Sequence, residues 1–222
     1  MTKEQVLTYV DHTNLSPVAT WSEIQTLCDD ALTYHTASIC IPPSYVKRAK
    51  EYLGERMRVC TVIGFPQGYS TTMTKVYETR DALANGADEI DMVINLGDLK
   101  DGAFDKVQNE IRTIKDVCGE NILKVIIETC LLTDEEIEKM CHVVMNAGAD
   151  FIKTSTGCST GGANEHVVSI LGRTIVPPTR IKASGGITNF DDAERYIELG
   201  ATRLGTSRLV NIMKNQEGKT VY

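Results

Sequence analysis

The 222-residue chain has no apolar run long enough to cross a bilayer. Its first residues, MTKEQVLTYVDHT, are polar and acidic where a secretory leader has an apolar segment, so a cytoplasmic, non-membrane protein is expected. It also lacks a basic stripe. Against 30 Asp and Glu it sets 23 Lys and Arg, a net charge of −7, and an acidic surface repels phosphate backbones. No nucleic-acid partner is therefore expected. The seven cysteines include no CxxC pair, and the histidines at 12, 35, 142 and 166 form neither HxH nor HExxH. The usual zinc patterns are missing, and no metal or other cofactor is expected. The cysteines read as free thiols, mostly small buried apolar residues. Neither a GxGxxG nor a P-loop occurs, and Gly157, Gly161 and Gly162 fit neither pattern. Linkers and low-complexity tracts are absent too, so residues 1–222 are expected to form one domain, with a short N-terminal helix and a C-terminal tail.

What the chain does have is a recurring phrase. NGADEIDMVI (85–94), NAGADFIKTS (146–155) and ELGATRLGTS (198–207) each run from a helix-like segment through Gly and Ala into a short strand-like run. Gly is the residue that ends helices in the left-handed conformation. With that phrase as a guide, strands are predicted at about 8–12, 37–41, 58–64, 89–95, 122–128, 151–155, 180–184 and 203–207. Helices are predicted at about 21–34, 44–53, 71–85, 103–118, 133–147, 163–172, 189–199 and from 208 onward. Thr133 with Glu136 makes a capping box, and Asn189 caps the next-to-last helix. Strict alternation of strand and helix predicts an α/β fold, a closed (β/α)8 or TIM barrel. An open doubly wound sheet is the rival, without its dinucleotide signature.

Successive strand residues point to opposite sides. One face of EIDMVIN carries Glu89, Asp91, Val93 and Asn95, and the other carries Ile90, Met92 and Ile94. Lys124, Ile126 and Glu128 share a face, as do Phe151, Lys153 and Ser155, and Arg180, Lys182 and Ser184. With the apolar faces turned to the helices, Asp91, Lys124, Lys153 and Lys182 point into the barrel. Buried charges cost several kcal/mol each unless paired, and barrel chemistry sits at the C-terminal ends of strands. A lone strand lysine is more often a salt-bridged structural residue. Two lysines beside an Asp suggest more: a second cation and partial burial both favour a neutral amine, which attacks carbonyls. One lysine would be the nucleophile and the other would tune it.

The loops SGGI (184–187) and GTSR (205–208) follow the seventh and eighth strands. Backbone N–H groups in such Gly-rich turns, beside a helix N-terminus, suit phosphate. Either turn alone is equally an ordinary strand-to-helix connection.

Taken together, ADEIDMVINLG, KVIIETCLLTDEEI, ADFIKTSTG, RIKASGGI and ATRLGTS resemble the deoxyribose-phosphate aldolases. Weaker similarity extends to YVDHTNL and ASICIPPSYV, so the resemblance spans nearly the whole chain. It implies a metal-free class I aldolase that reversibly cleaves 2-deoxy-D-ribose 5-phosphate to D-glyceraldehyde 3-phosphate and acetaldehyde. By motif, Lys153 is then the Schiff-base lysine, Lys182 its tuner, and Asp91 a proton relay acting with Lys182 through water. Thr156 and Gly157 would line the pocket, and Gly185, Gly186, Gly205 and Ser207 would hold the phosphate. The family's C-terminal tyrosine, which can assist proton transfer, corresponds to Tyr222. Asp11 and Cys40 fall near the pocket without an assigned role. Cys158 stands where members carry a large apolar residue or a lysine, and Arg208 where a small residue is common. A phosphosugar is the expected small-molecule partner. A homodimer is carried as the expected assembly, although no residue pattern sets it.

Two other readings use the same residues. A phosphosugar isomerase or epimerase would employ Asp91 and a lysine as acid and base without a covalent intermediate. A binding module would keep its lysine charged on the phosphate, whereas an aldolase needs one neutral.

Overall fold

The computed structural model describes residues 1–214, so Tyr222 lies outside the described residues. Eight parallel strands close into a barrel in chain order. They are β1 (Val10–Thr13), β2 (Ser38–Ile41), β3 (Val59–Ile63), β4 (Glu89–Val93), β5 (Ile122–Ile126), β6 (Phe151–Lys153), β7 (Arg180–Ser184) and β8 (Arg203–Thr206). The helices are α1 (Lys3–Leu7), α2 (Trp21–Tyr34), α3 (Val46–Leu53), α4 (Thr72–Ala84), α5 (Leu96–Lys100), α6 (Phe104–Cys118), α7 (Asp134–Asn146), α8 (Glu165–Thr174), α9 (Phe190–Glu198) and α10 (Leu209–Met213). β8 closes on β1 through the pairs Val10↔Leu204 and Asp11↔Gly205.

The recurring phrase is a helix stop. Gly86, Gly148 and Gly200 have φ of +98°, +78° and +108°, where a side chain would be strained. Each ends a helix and feeds β4, β6 or β8. Helix starts are equally explicit: Thr2 with Gln5, Thr20 with Glu23 and Thr133 with Glu136 form capping boxes.

The apolar strand faces join the inward helix faces in one continuous core. Ile90, Met92, Leu123 and Val125 cluster there with Ile111, Ile114, Met140 and Val144. Each such side chain, fully buried, contributes about 1.5–3 kcal/mol, so the stabilising layer lies between barrel and helices. The barrel's inside is thereby left free for polar groups.

Several boundaries differ from expectation. β1 begins at Val10, because Thr8 caps α1 instead of extending the strand. β4 stops at Val93, because the Asn95 side chain turns back to accept from the N–H groups of Gly97 and Asp98 and starts the unexpected α5. β5 stops at Ile126, because Glu128 adopts a left-handed backbone with φ +52°. β6 is only three residues long, so Ser155 lies in the loop beyond it.

Candidate active site

The inward residues meet in a network of buried charges. Parallel register sets Asp91 beside Lys124 and Lys153 beside Lys182. The Lys153 Nζ donates to Asp91 Oδ2 at 2.8 Å, and the Lys182 Nζ donates to the same oxygen at 2.7 Å. Asp91 Oδ1 accepts from the Lys124 Nζ at 2.7 Å and from the Cys60 thiol at 3.1 Å. Asp11 accepts from Lys182 through Oδ2, and from Arg203 (2.6 Å) and Ser38 (2.7 Å) through Oδ1. Glu89 pairs with Lys124 at 2.7 Å and with Arg203 at 3.0 Å. Below them the Arg203 guanidinium lies 5.4 Å from the Phe151 ring centroid.

Four buried cations, Lys124, Lys153, Lys182 and Arg203, thus face three buried carboxylates, Asp11, Glu89 and Asp91. Burial alone would raise the pKa of Asp91, but Lys124, Lys153 and Lys182 outweigh it and hold the carboxyl well below its ordinary range. The same contest, against Lys182, Lys124 and Arg203, holds Asp11 low. Burial works to neutralise Lys182, yet Asp11 and Asp91 prevail and keep it an ammonium ion. Lys124 is likewise held charged against burial, chiefly by Asp91. Burial pushes the Cys60 thiol up and keeps it protonated.

The lysines are not equivalent. Lys182 contacts two carboxylates and Lys124 contacts three, whereas Lys153 contacts Asp91 alone. Lys124 and Lys182 are sealed, while Lys153 keeps 3% of its surface open. Among the buried groups cations outnumber carboxylates by one, and Lys153 has the fewest carboxylate partners. This differs from the expected picture in one respect. Lys182 acts less as an isolated neighbouring charge than as a competitor for Asp91, with its own charge largely compensated.

Two sets, Cys40, Cys60 and Asp91 and then Asp11, Cys60 and Glu89, bring potential metal-binding atoms within 4.8 Å of one another among the described residues. Their carboxylates already bind Lys and Arg, and a metal ion would add positive charge to a cluster that has it in excess. The donor set suits ammonium groups better than a metal.

The β6–α8 loop forms the adjoining wall. Thr156 is buried there and bonded to Glu128, and Gly157 follows with φ +85°. The hydroxyls of Ser155 and Ser184 are buried with no protein partner among the described residues. A Cβ on Gly205 would stand 2.3 Å from the Ser184 Oγ and 3.1 Å from the Lys182 Cε, so only glycine leaves room for both side chains. Gly185, Gly186, Gly205 and Ser207 come together around a small pocket of about 60 Å³, with Arg208 in its wall. Cys158 is exposed and Cys40 is buried against Cys60 and Val62.

The aldolase family model (DeoC/LacD family aldolase) matches residues 5–213. The chain belongs to this family. A deoxyribose-phosphate aldolase of Streptococcus agalactiae serotype Ia is 58% identical over 217 residues, covering 98% of this chain and 97% of the relative. One of Streptococcus pyogenes serotype M4 is 57% identical over 220 residues, covering 99% of both. Among solved structures, a deoxyribose phosphate aldolase of Aeropyrum pernix, described as a unique tetramer, aligns with a TM-score of 0.86 at 30% identity, over 96% of this chain and 92% of that one. No helix of the described residues is long and apolar enough to cross a membrane.

Glu89, Arg203, Cys60 and Glu128 carry no role predicted from sequence, and Asp11 falls near the pocket without one. Period-two alternation from Gly205 and Ser207 back to Arg203 would have placed that arginine inside the barrel. The left-handed backbone at Glu128 had no residue-type signal, because Gly or Asn is the usual occupant.

Proposed function

We propose that this protein is a class I aldolase, reversibly cleaving 2-deoxy-D-ribose 5-phosphate to D-glyceraldehyde 3-phosphate and acetaldehyde through a Schiff base on Lys153. The observation that carries this reading is the single Asp91 oxygen shared by Lys153 and Lys182. The names of the streptococcal relatives support the substrate.

Lys153, freed of its extra proton, attacks the C1 aldehyde of the open-chain sugar. The carbinolamine hydroxyl takes a proton and leaves as water, giving an iminium ion. Lys182 and Asp91, joined by one hydrogen bond, are the acid–base pair for these transfers. A base then removes the C3 hydroxyl proton and the C2–C3 bond breaks. Its electron pair moves into the iminium, forming an enamine and releasing glyceraldehyde 3-phosphate. Protonation of the enamine at C2 and hydrolysis free acetaldehyde and Lys153. Gly185, Gly186, Gly205 and Ser207 hold the phosphate, and Thr156 and Gly157 line the sugar. Tyr222 is kept in the proposal as an aid to proton transfer.

The reaction is placed in the cytoplasm, within a single catalytic domain. A homodimer is proposed as the assembly. Tyr69, Met73 and Tyr77 support self-association, being spaced four residues apart and exposed by 76%, 69% and 74%. An isomerase or epimerase reading lacks any observation that favours it. Release of glyceraldehyde 3-phosphate from 2-deoxy-D-ribose 5-phosphate by the wild type, and none by Lys153→Leu of unchanged circular dichroism, is the expected result. Turnover by the variant would refute the Schiff-base assignment.

A further inference from the structure

Glu128 is held in a conformation that L-residues with side chains avoid. Its φ is +52° and ψ +63°, and His35 is the other non-glycine residue with positive φ among the described residues. His35 ends helix α2 at an exposed turn, a usual place for a left-handed residue. Glu128 lies two residues beyond β5, is 3% exposed, and commits both carboxylate oxygens to one residue. Oε1 accepts from the Thr156 backbone N–H at 3.1 Å, and Oε2 accepts from the Thr156 hydroxyl at 2.5 Å. That hydroxyl also accepts from the Cys158 N–H at 3.0 Å. These three residues line a cleft of about 210 Å³ at the barrel mouth, together with Pro66, Leu96 and Leu131.

A threonine hydroxyl has one proton and two lone pairs. Here the proton belongs to Glu128 and one lone pair to Cys158. One lone pair remains, so Thr156 can only accept from a ligand. We infer that Glu128 is a positioning residue that fixes the Thr156 hydroxyl as an acceptor for a sugar hydroxyl. A group bearing a proton is thereby selected at this wall, and an anionic oxygen is rejected, which leaves the phosphate to the Gly185 and Gly205 loops. The backbone strain at Glu128 is the counterpart of that placement: glycine would relieve it but would leave Thr156 unoriented. This inference rests on the aldolase reading.

The test is a double-mutant cycle on 2-deoxy-D-ribose 5-phosphate cleavage with wild type, Glu128→Gln, Thr156→Val and the double variant. The single Glu128→Gln change is expected to lower kcat/KM roughly 10-fold or more, the scale of losing a hydrogen bond to a charged group. In the Thr156→Val background the same change is expected to have an effect within about 2-fold, because the hydroxyl that Glu128 orients is gone while the backbone N–H at 156 stays. Glu128→Gly, which accepts the positive φ, is the second variant should Gln impede folding, and the same loss is expected from it. An unchanged kcat/KM in Glu128→Gln, or an equal loss in both backgrounds, would overturn the inference. Acetaldehyde and borohydride labelling of Lys153 is run on all these proteins. A wild type that neither turns over nor labels overturns the aldolase reading and this inference with it. Labelled variants with independent losses overturn the role of Glu128 alone.

Discussion

Lys153 and Lys182 donate to the same oxygen of Asp91, at 2.8 and 2.7 Å. One buried carboxylate oxygen thus stands between two lysine amines. Lys182 has a second carboxylate in Asp11, and Lys153 has none. Lys153 therefore has the fewest carboxylate partners of the barrel lysines, and Lys182 contests the one oxygen it has.

Replacing Lys182 tests that competition. In Lys182→Leu, Asp11 and Asp91 lose a shared cation, and Asp91 binds the Lys153 ammonium more firmly. The acid limb of the kcat/KM profile should move to higher pH by about one unit or more, with at least about a 10-fold loss near pH 7. A limb at the wild-type position would contradict the assignment.

Arg203 serves the interior without touching Lys153. It bridges Asp11 and Glu89 at 2.6 and 3.0 Å. Arg203→Leu leaves buried carboxylates undercompensated, and should lower unfolding free energy by about 3–5 kcal/mol. Urea denaturation measures this, and a loss below about 1 kcal/mol would count against the bridge.

Gly205 is predicted to be intolerant for a local reason. The Cβ of Gly205→Ala meets the Ser184 Oγ at 2.3 Å and the Lys182 Cε at 3.1 Å, so both side chains must shift. A displaced Lys182 should reduce kcat about 100-fold, as misplacement near 1 Å does. Wild-type kcat in the alanine variant would show that the crowding is harmless.

The interior also sets a pH window for stability. Asp11 and Asp91 titrate below their ordinary value of 3.8. Their contribution is complete above roughly pH 5 and is lost as pH falls through 3.8 toward their lower native values. Lys124 and Lys182 titrate above their ordinary value of 10.5, so their contribution is complete below it and is lost only as pH rises beyond it. Denaturation midpoints should hold from about pH 6 to 9.5 and fall steeply below about pH 4. A midpoint still unchanged at pH 3 would contradict this.

Much of this was legible in the sequence because one rule carried far. Period-two alternation put Asp91, Lys124, Lys153 and Lys182 on inward faces, and the Gly-Ala phrase fixed where strands began. Burial of a lysine is not by itself the signal. Lys75 on α4 is equally buried, yet it is satisfied by Glu110 at 2.7 Å and the Val93 carbonyl at 2.9 Å. Its partners come from distant segments, which no local pattern announces. The same holds for Asp11, whose bonds to Lys182 and Arg203 span nearly the whole chain. The strand-like neighbours of Glu128 predict strand there; the carboxylate's tie to Thr156 overrides that preference.

The most direct measurement is peptide mapping by mass spectrometry after acetaldehyde and borohydride treatment. Reduction of the imine adds an ethyl group, about 28 Da, to the nucleophilic amine. The label is expected on Lys153, with Lys182 and Lys124 unmodified. A label on Lys182, or label spread over surface lysines with none on Lys153, would contradict that assignment.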